Sequence, residues 1–339
     1  MHDPTINDDP GGDQCLDGPL LFGRVLNGQG GAREIGWGQV QGWRPSAPGE
    51  VLWIHLCRTV EGVYEWLMDD LGIPEPTAEL LTSDATRPRA FREGEALVAT
   101  LRGINFNPGA EPEDMVSLQL WCDGARLVTL RRVPLQTPND TRAELDRGRG
   151  PTDAGALITS IVEHMIDRMS HSILDMNAAI DELEEQEAGC ANQEMLTKIS
   201  TIRRNCLALK RYMSPEHEAL QNMSENAPSW FEKHDRREIA ESIDRLRRYL
   251  DDLDISKESA LVLQDDARAR LLERNARTQY RLTIVASIFL PLTFLTGLLG
   301  INVAGIPDAE DPQAFWTVVA ICGAIIVAQV LLFRRLKWF

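Results

Sequence analysis

The chain has 339 residues and a formal net charge of −16, with a sequence pI near 4.9. Its length allows two or three domains. The acidic balance argues against a nucleic-acid partner, because phosphate contacts need clustered Lys and Arg, and it suits a protein that handles cations.

Residues 1–19 are an acidic tail rich in Asp, Gly and Pro. They lack the charged start and apolar core of a signal peptide and are expected to be disordered. Residues 20–150 alternate between β-rich runs and short helical stretches. The runs are 50–57 (EVLWIHLC), 96–102 (ALVATLR), 116–122 (VSLQLWC) and 126–131 (RLVTLR). The last pair flanks Asp123-Gly124 and reads as a hairpin. With helices at 62–71 and 77–81, this segment predicts a compact α/β domain.

Residues 151–282 change character to a helical stalk. Ile158, Met165, Met169, Ile173, Met176, Ile180 and Leu183 recur at spacings of three, four or seven, and Met195, Ile199, Ile202, Cys206, Leu209 and Met213 do the same. These spacings predict two antiparallel helices with an apolar seam. Ser214-Pro215 reads as the start of a new helix, and Ser229 with Glu232 as the capping box of another. No Gly or Pro falls between Ser229 and Leu290, so this last helix is expected to run into the first apolar span. At ~1.5 Å per residue, 229–301 would reach roughly 110 Å, a length that needs lateral partners. Ile239, Ile243, Leu246, Leu250 and Leu253 form its seam, which weakens through Lys257, Ala260 and Gln264. The pattern fits either helices diverging around a wet space or an ordinary bundle.

Residues 283–339 hold two uncharged spans, 283–301 and 314–333, joined by the short loop 302–313. Each is about long enough to cross a bilayer core. Arg268, Arg270, Arg274, Arg277 and Arg281 precede the first span, and Arg334, Arg335 and Lys337 follow the second. The loop has no Lys or Arg and carries Asp308, Glu310 and Asp311. This asymmetry predicts cytoplasmic N- and C-termini and an external loop, with Trp316, Trp338 and Phe339 near the boundaries.

Six cysteines lie at 15, 57, 122, 190, 206 and 322 without metal or redox spacing, and reduced thiols are expected. His164 and His171 are two helical turns apart, too far for one ion without a partner helix, and read as a solvated face. Asp251, Asp252, Asp254, Asp265 and Asp266 could attract cations or simply be solvated. No catalytic constellation stands out, so no enzyme activity and no bound cofactor are expected.

Walking back from Asn302 by helical steps, Gly300, Gly297, Thr293, Leu290, Ala286, Leu282 and Gln279 fall on or near one face. That face could line a pore between copies, with Asn302 holding a hydrated metal ion through its carbonyl and Leu290 and Leu282 as apolar constrictions. It could equally serve close helix packing.

The run 289–302 (FLPLTFLTGLLGIN), the acidic loop, the second span and the basic Lys337-Trp338 end together resemble the CorA superfamily of divalent-cation transporters. The signature there is Gly-Met-Asn. Gly300-Ile301-Asn302 departs from it, with Leu299 in place of the usual tyrosine, as in the ZntB zinc-transport branch. Arg87-Pro88-Arg89, residues 150–153 (GPTD) and Arg211-Tyr212-Met213 are similar to that branch as well. The resemblance implies an α+β membrane protein assembled as a homopentameric funnel, with five first spans around one pore. Its filter would be Gly300, Ile301 and Asn302, and Asp308, Glu310 and Asp311 would attract cations. It further implies zinc uptake across the inner (plasma) membrane, coupled to protons. Conduction of magnesium, cobalt or nickel in the manner of CorA is the alternative. A membrane-anchored signalling or scaffold protein is the reading from another class.

Overall fold

The computed structural model describes residues 18–47, 49–110, 114–187, 192–300 and 313–335. It divides into two compact units, Met1–Gln264 and Asp265–Phe339.

The first unit is built on a seven-stranded mixed sheet of order β2-β1-β3-β7-β6-β5-β4. Its strands are β1 (Leu20–Leu26), β2 (Ala32–Glu34), β3 (Val51–Cys57), β4 (Arg89–Glu93), β5 (Ala96–Gly103), β6 (Val116–Cys122) and β7 (Arg126–Arg131). The predicted 123–124 hairpin joins β6 and β7. The parallel pairing of β3 with β7, from Leu52↔Arg126 to Cys57↔Arg131, places these two strands at the sheet centre. Helices cover both faces, which is why β3 and β6 are buried at every position. On β5, Leu97, Ala99 and Leu101 belong to one core and Ala96 and Val98 to the other. The second core is closed by α1 (Trp37–Val40), α2 (Val63–Asp69) and α3 (Glu75–Thr82).

The first core is closed by α5 (Ala154–Glu187), α6 (Gln193–Glu225) and the start of α7 (Lys233–Leu299), while α4 (Thr137–Asp146) packs beside α5. The predicted seams are buried or half-buried throughout. Two expectations are corrected. Pro215 does not start a helix but lies inside continuous α6; packing against the sheet outweighs the one lost backbone bond. α7 begins at Lys233 rather than Ser229, with Asp235 reaching back to the Glu232 N–H at 2.8 Å. Ser229 is taken by a distant partner instead: its hydroxyl donates to Glu95 at 2.6 Å, and the Trp230 indole N–H donates to the Glu95 carbonyl at 2.7 Å. The turn at Gly124 closes on the same indole. Its φ is +91°, and a Cβ there would sit 2.7 Å from the Trp230 ring, so only glycine fits. Two hairpin ends thus clamp the segment that opens α7.

Side-chain bonds tie α7 to its neighbours along the first unit. Thr159 donates to Glu238, Arg245 to Glu163 and Asp167, and Arg203 to Gln264. Asp254 pairs with Lys210 of α6 and with Lys257, and these partners hold its carboxyl below the usual range. Beyond Leu253 the seam continues in small and polar residues: Ser256, Ala260, Gln264 and Ala267 are all buried. Cys122, Cys206 and Cys322 are free, but Cys57 is disulfide-bonded, against the expectation of reduced thiols throughout.

The second unit contains the last part of α7 and α8 (Ala314–Arg335). Both helices are long and apolar enough to cross a membrane, and almost none of their apolar windows is buried within the protein. That exposure separates them from core helices of a water-soluble fold.

Candidate ion pathway

Pro291 lies inside α7 and has no backbone N–H, so the Ser287 carbonyl four residues earlier loses its helical donor. Gln329 of α8 supplies the replacement: its Nε2 donates to the Ser287 carbonyl at 3.1 Å. Such substitution by a neighbouring helix is how a proline is accommodated in a span. The bond brings together two partly buried stripes, Ile284, Ser287, Ile288, Leu292 and Leu295 of α7 and Val318, Cys322, Ile325, Gln329 and Phe333 of α8. Both recur at spacings of three and four, as a packed helical pair requires.

The sequence-derived face of α7 lies elsewhere on the helix. Gln279, Leu282, Ala286, Leu290, Thr293 and Gly297 are all exposed in the single chain, Leu282 at 64% and Leu290 at 72%. A Cβ added at Gly297 would meet nothing within 4 Å. These six residues therefore remain uncovered when α8 is in place. From 283 to 300 no side chain carries charge. Thr293 satisfies its hydroxyl on the Phe289 carbonyl at 2.8 Å, leaving a face of methyl, methylene and backbone groups with one amide at Gln279. Gly300 closes the helix, its N–H bonding to the Thr296 and Gly297 carbonyls. Ile301, Asn302, Asp308, Glu310 and Asp311 lie outside the described residues.

The histidines of α5 do not come together. His164 faces Glu144 of α4 at 3.2 Å and donates from Nδ1 to the Ser160 carbonyl at 2.9 Å, while His171 meets the Asp167 carbonyl. Among the described residues no group of three or more His, Cys, Asp or Glu is arranged to hold a metal ion.

Sequence reasoning missed the Pro291–Ser287–Gln329 arrangement, although a lone amide in an uncharged span was a readable signal. Gln329→Leu should lower the thermal midpoint of the detergent-solubilised protein, through a loss of about 1 kcal/mol. In a Pro291→Ala background, where the alanine N–H restores the helical donor, the same change should cost clearly less. Equal losses in both backgrounds would refute the compensation.

The profile of the family described as CorA-like Mg2+ transporter protein matches residues 48–335. A protein of Pseudomonas aeruginosa named divalent cation transporter CmaX is 39% identical over 324 residues, covering 94% of this chain and 96% of that one. The zinc transport protein ZntB of Pectobacterium atrosepticum is 32% identical over 315 residues, covering 92% and 94%. The solved full-length CmaX superposes with a TM-score of 0.81 at 38% identity, over 97% of this chain and 100% of that one. The CorA magnesium transporter of Methanocaldococcus jannaschii shares the fold, with a TM-score of 0.76 at 17% identity over 94% and 99% of the two chains. A chain matched from its central sheet to the last turn of α8 by one family profile, with relatives of the same length and fold, is a member of the CorA-like family.

Proposed function

We propose that this protein moves divalent metal ions across the inner membrane through a pore lined by α7, and that zinc is its main cargo. The observation that carries this reading is the exposed, uncharged face from Gln279 to Gly297, which α8 leaves free. Five copies around an axis would turn that face to a common lumen, with Leu282 and Leu290 as apolar constrictions that gate by dewetting. Gly300, Ile301 and Asn302 would stand at the mouth, where an amide carbonyl suits an ion that keeps its water shell. The arginine-rich flanks and the acidic 302–313 loop support cytoplasmic termini.

Zinc is supported by the Gly-Ile-Asn sequence in place of Gly-Met-Asn and by the similarity to proteins named for zinc transport. Magnesium is supported by the family description and by the CorA fold. The test is flux into proteoliposomes loaded with a metal-sensitive dye, offering zinc, magnesium, cobalt and nickel in competition, with and without a pH gradient. Zinc entry that the other ions compete with weakly, and that an inward proton gradient accelerates, is the expected result. Magnesium entry insensitive to the gradient would favour the CorA-like alternative. No flux of any ion from assembled protein would favour an anchoring role for the spans.

A further inference from the structure

We propose that Arg281, Arg334 and Arg335 form one site for the headgroup of an anionic phospholipid. The inference rests on α7 and α8 crossing a bilayer and on nothing about which ion is moved.

The bond from Gln329 to the Ser287 carbonyl fixes the register of the two helices. Six residues back from Ser287 stands Arg281; five and six residues on from Gln329 stand Arg334 and Arg335. Two spans of one bilayer joined by a short loop run antiparallel, so both steps lead toward the same end. At 1.5 Å per residue each step covers roughly 8–9 Å, which brings the three arginines to one level. Just inside that level, Ile284 and Phe333 are buried, at 9% and 7% exposure.

All three arginines are exposed, and among the described residues none of them has a carboxylate partner. Their neighbours differ: Arg277 pairs with Glu273 at 2.6 Å and Arg268 with Asp265 at 3.9 Å. The positive charge is also confined to one end. At the other end α8 begins with Phe315 and Trp316, ring to ring at 5.4 Å and both exposed, a pair suited to the bilayer interface.

Three uncompensated guanidinium groups in one layer call for phosphate oxygens, which their planar forks accept in pairs. The surface just inside the layer favours a phosphate that carries acyl chains. Val285, Leu331 and Leu332 are 52%, 61% and 53% exposed there and present an apolar wall. A phospholipid fills both parts of the site; free phosphate fills only the first.

The experiment is a cardiolipin titration of the full-length protein in neutral detergent, read by native mass spectrometry, with phosphatidylcholine as the control lipid. Wild type should bind cardiolipin in preference to phosphatidylcholine. Affinity should fall roughly fivefold for each arginine removed in R281Q, R334Q and R335Q, and further in the triple variant. Millimolar inorganic phosphate should not displace the lipid. If the triple variant does not accumulate in the membrane, the single variants R281Q and R335Q, one on each helix, still decide the matter. Unchanged cardiolipin affinity in both, or displacement of the lipid by inorganic phosphate, would overturn the proposal. The measurement involves no ion flux, so its failure and the failure of the transport reading are separate results.

Discussion

Asn302→Ala is expected to reduce divalent-ion uptake to background at every ionic strength while the oligomer stays intact. The side-chain carbonyl would orient the water shell of an arriving ion at hydrogen-bond range, and contacts that short are little screened by salt. Neutralising the loop with D308N, E310Q and D311N should act differently. Those carboxylates would raise local cation concentration through a field that physiological salt screens over about 8 Å. Their loss should slow uptake mainly at low ionic strength. The check is dye-reported flux into proteoliposomes at low and high salt, with native mass spectrometry of the same samples. Wild-type flux from an assembled Asn302→Ala protein would mean that Gly300-Ile301-Asn302 only ends a helix.

The second large effect concerns stability and lies in the first unit. Glu216 is 1% exposed on α6, and its Oε2 accepts the backbone N–H of Arg102 at 3.0 Å. The Arg102 guanidinium is engaged elsewhere, donating to Thr86 at 2.8 Å and lying 4.2 Å over the Tyr212 ring. Burial therefore dominates, and it pushes the Glu216 carboxyl up to about 8. A carboxyl raised above its unfolded value keeps its proton in the folded state over a range where the unfolded chain has lost it. Its contribution to stability therefore falls as pH rises from the unfolded value, about 4.3, to about 8, by up to about 1.4 kcal/mol per pH unit. Glu216→Gln keeps an acceptor for Arg102 and removes the titration. Wild type should lose apparent melting temperature steeply across that window, and the difference between variant and wild type should widen steadily in the variant's favour. Parallel melting curves for the two proteins across the window would show that Glu216 does not titrate there.

Glu216 also marks how far the sequence could be read. It falls on the buried stripe Leu209, Met213, Glu216, Leu220 and Met223, so a carboxylate at a seam position was visible in the spacing alone. Its partner, 114 residues away on β5, was not. The apolar runs of β3, β5, β6 and β7 were legible because strands buried on both faces are continuous in Val, Leu and Ile. The edge strand β4 (RAFRE) and the short β2 (ARE) were not, since edges are protected by charge and brevity. β1 carries Gly23 and Arg24 in its middle, and Gly23 is there because a Cβ would lie 2.6 Å from the Ile35 carbonyl, a contact no local pattern reports. α4 has few apolar residues and hides its helical character behind a polar face. In the spans, uncharged length and flanking arginines marked the elements. The candidate pore face of α7 was drawn from helical periodicity alone, counted back from Asn302. What periodicity could not give was the role of Ser229, spent on Glu95 rather than on a helix cap.

The absence of charge from 283–300 and 314–333 has an electrical consequence. A membrane potential does work only on charges that move within its field. Spans with none give the voltage no handle on the protein, so opening would not be steered by it in the way arginine-bearing sensor helices are. The cargo is different. A divalent ion crossing 100 mV changes free energy by about 4.6 kcal/mol, more than three decades in concentration ratio. With the interior negative, the ion's own two charges would add to an inward proton gradient in driving accumulation through the proposed pore.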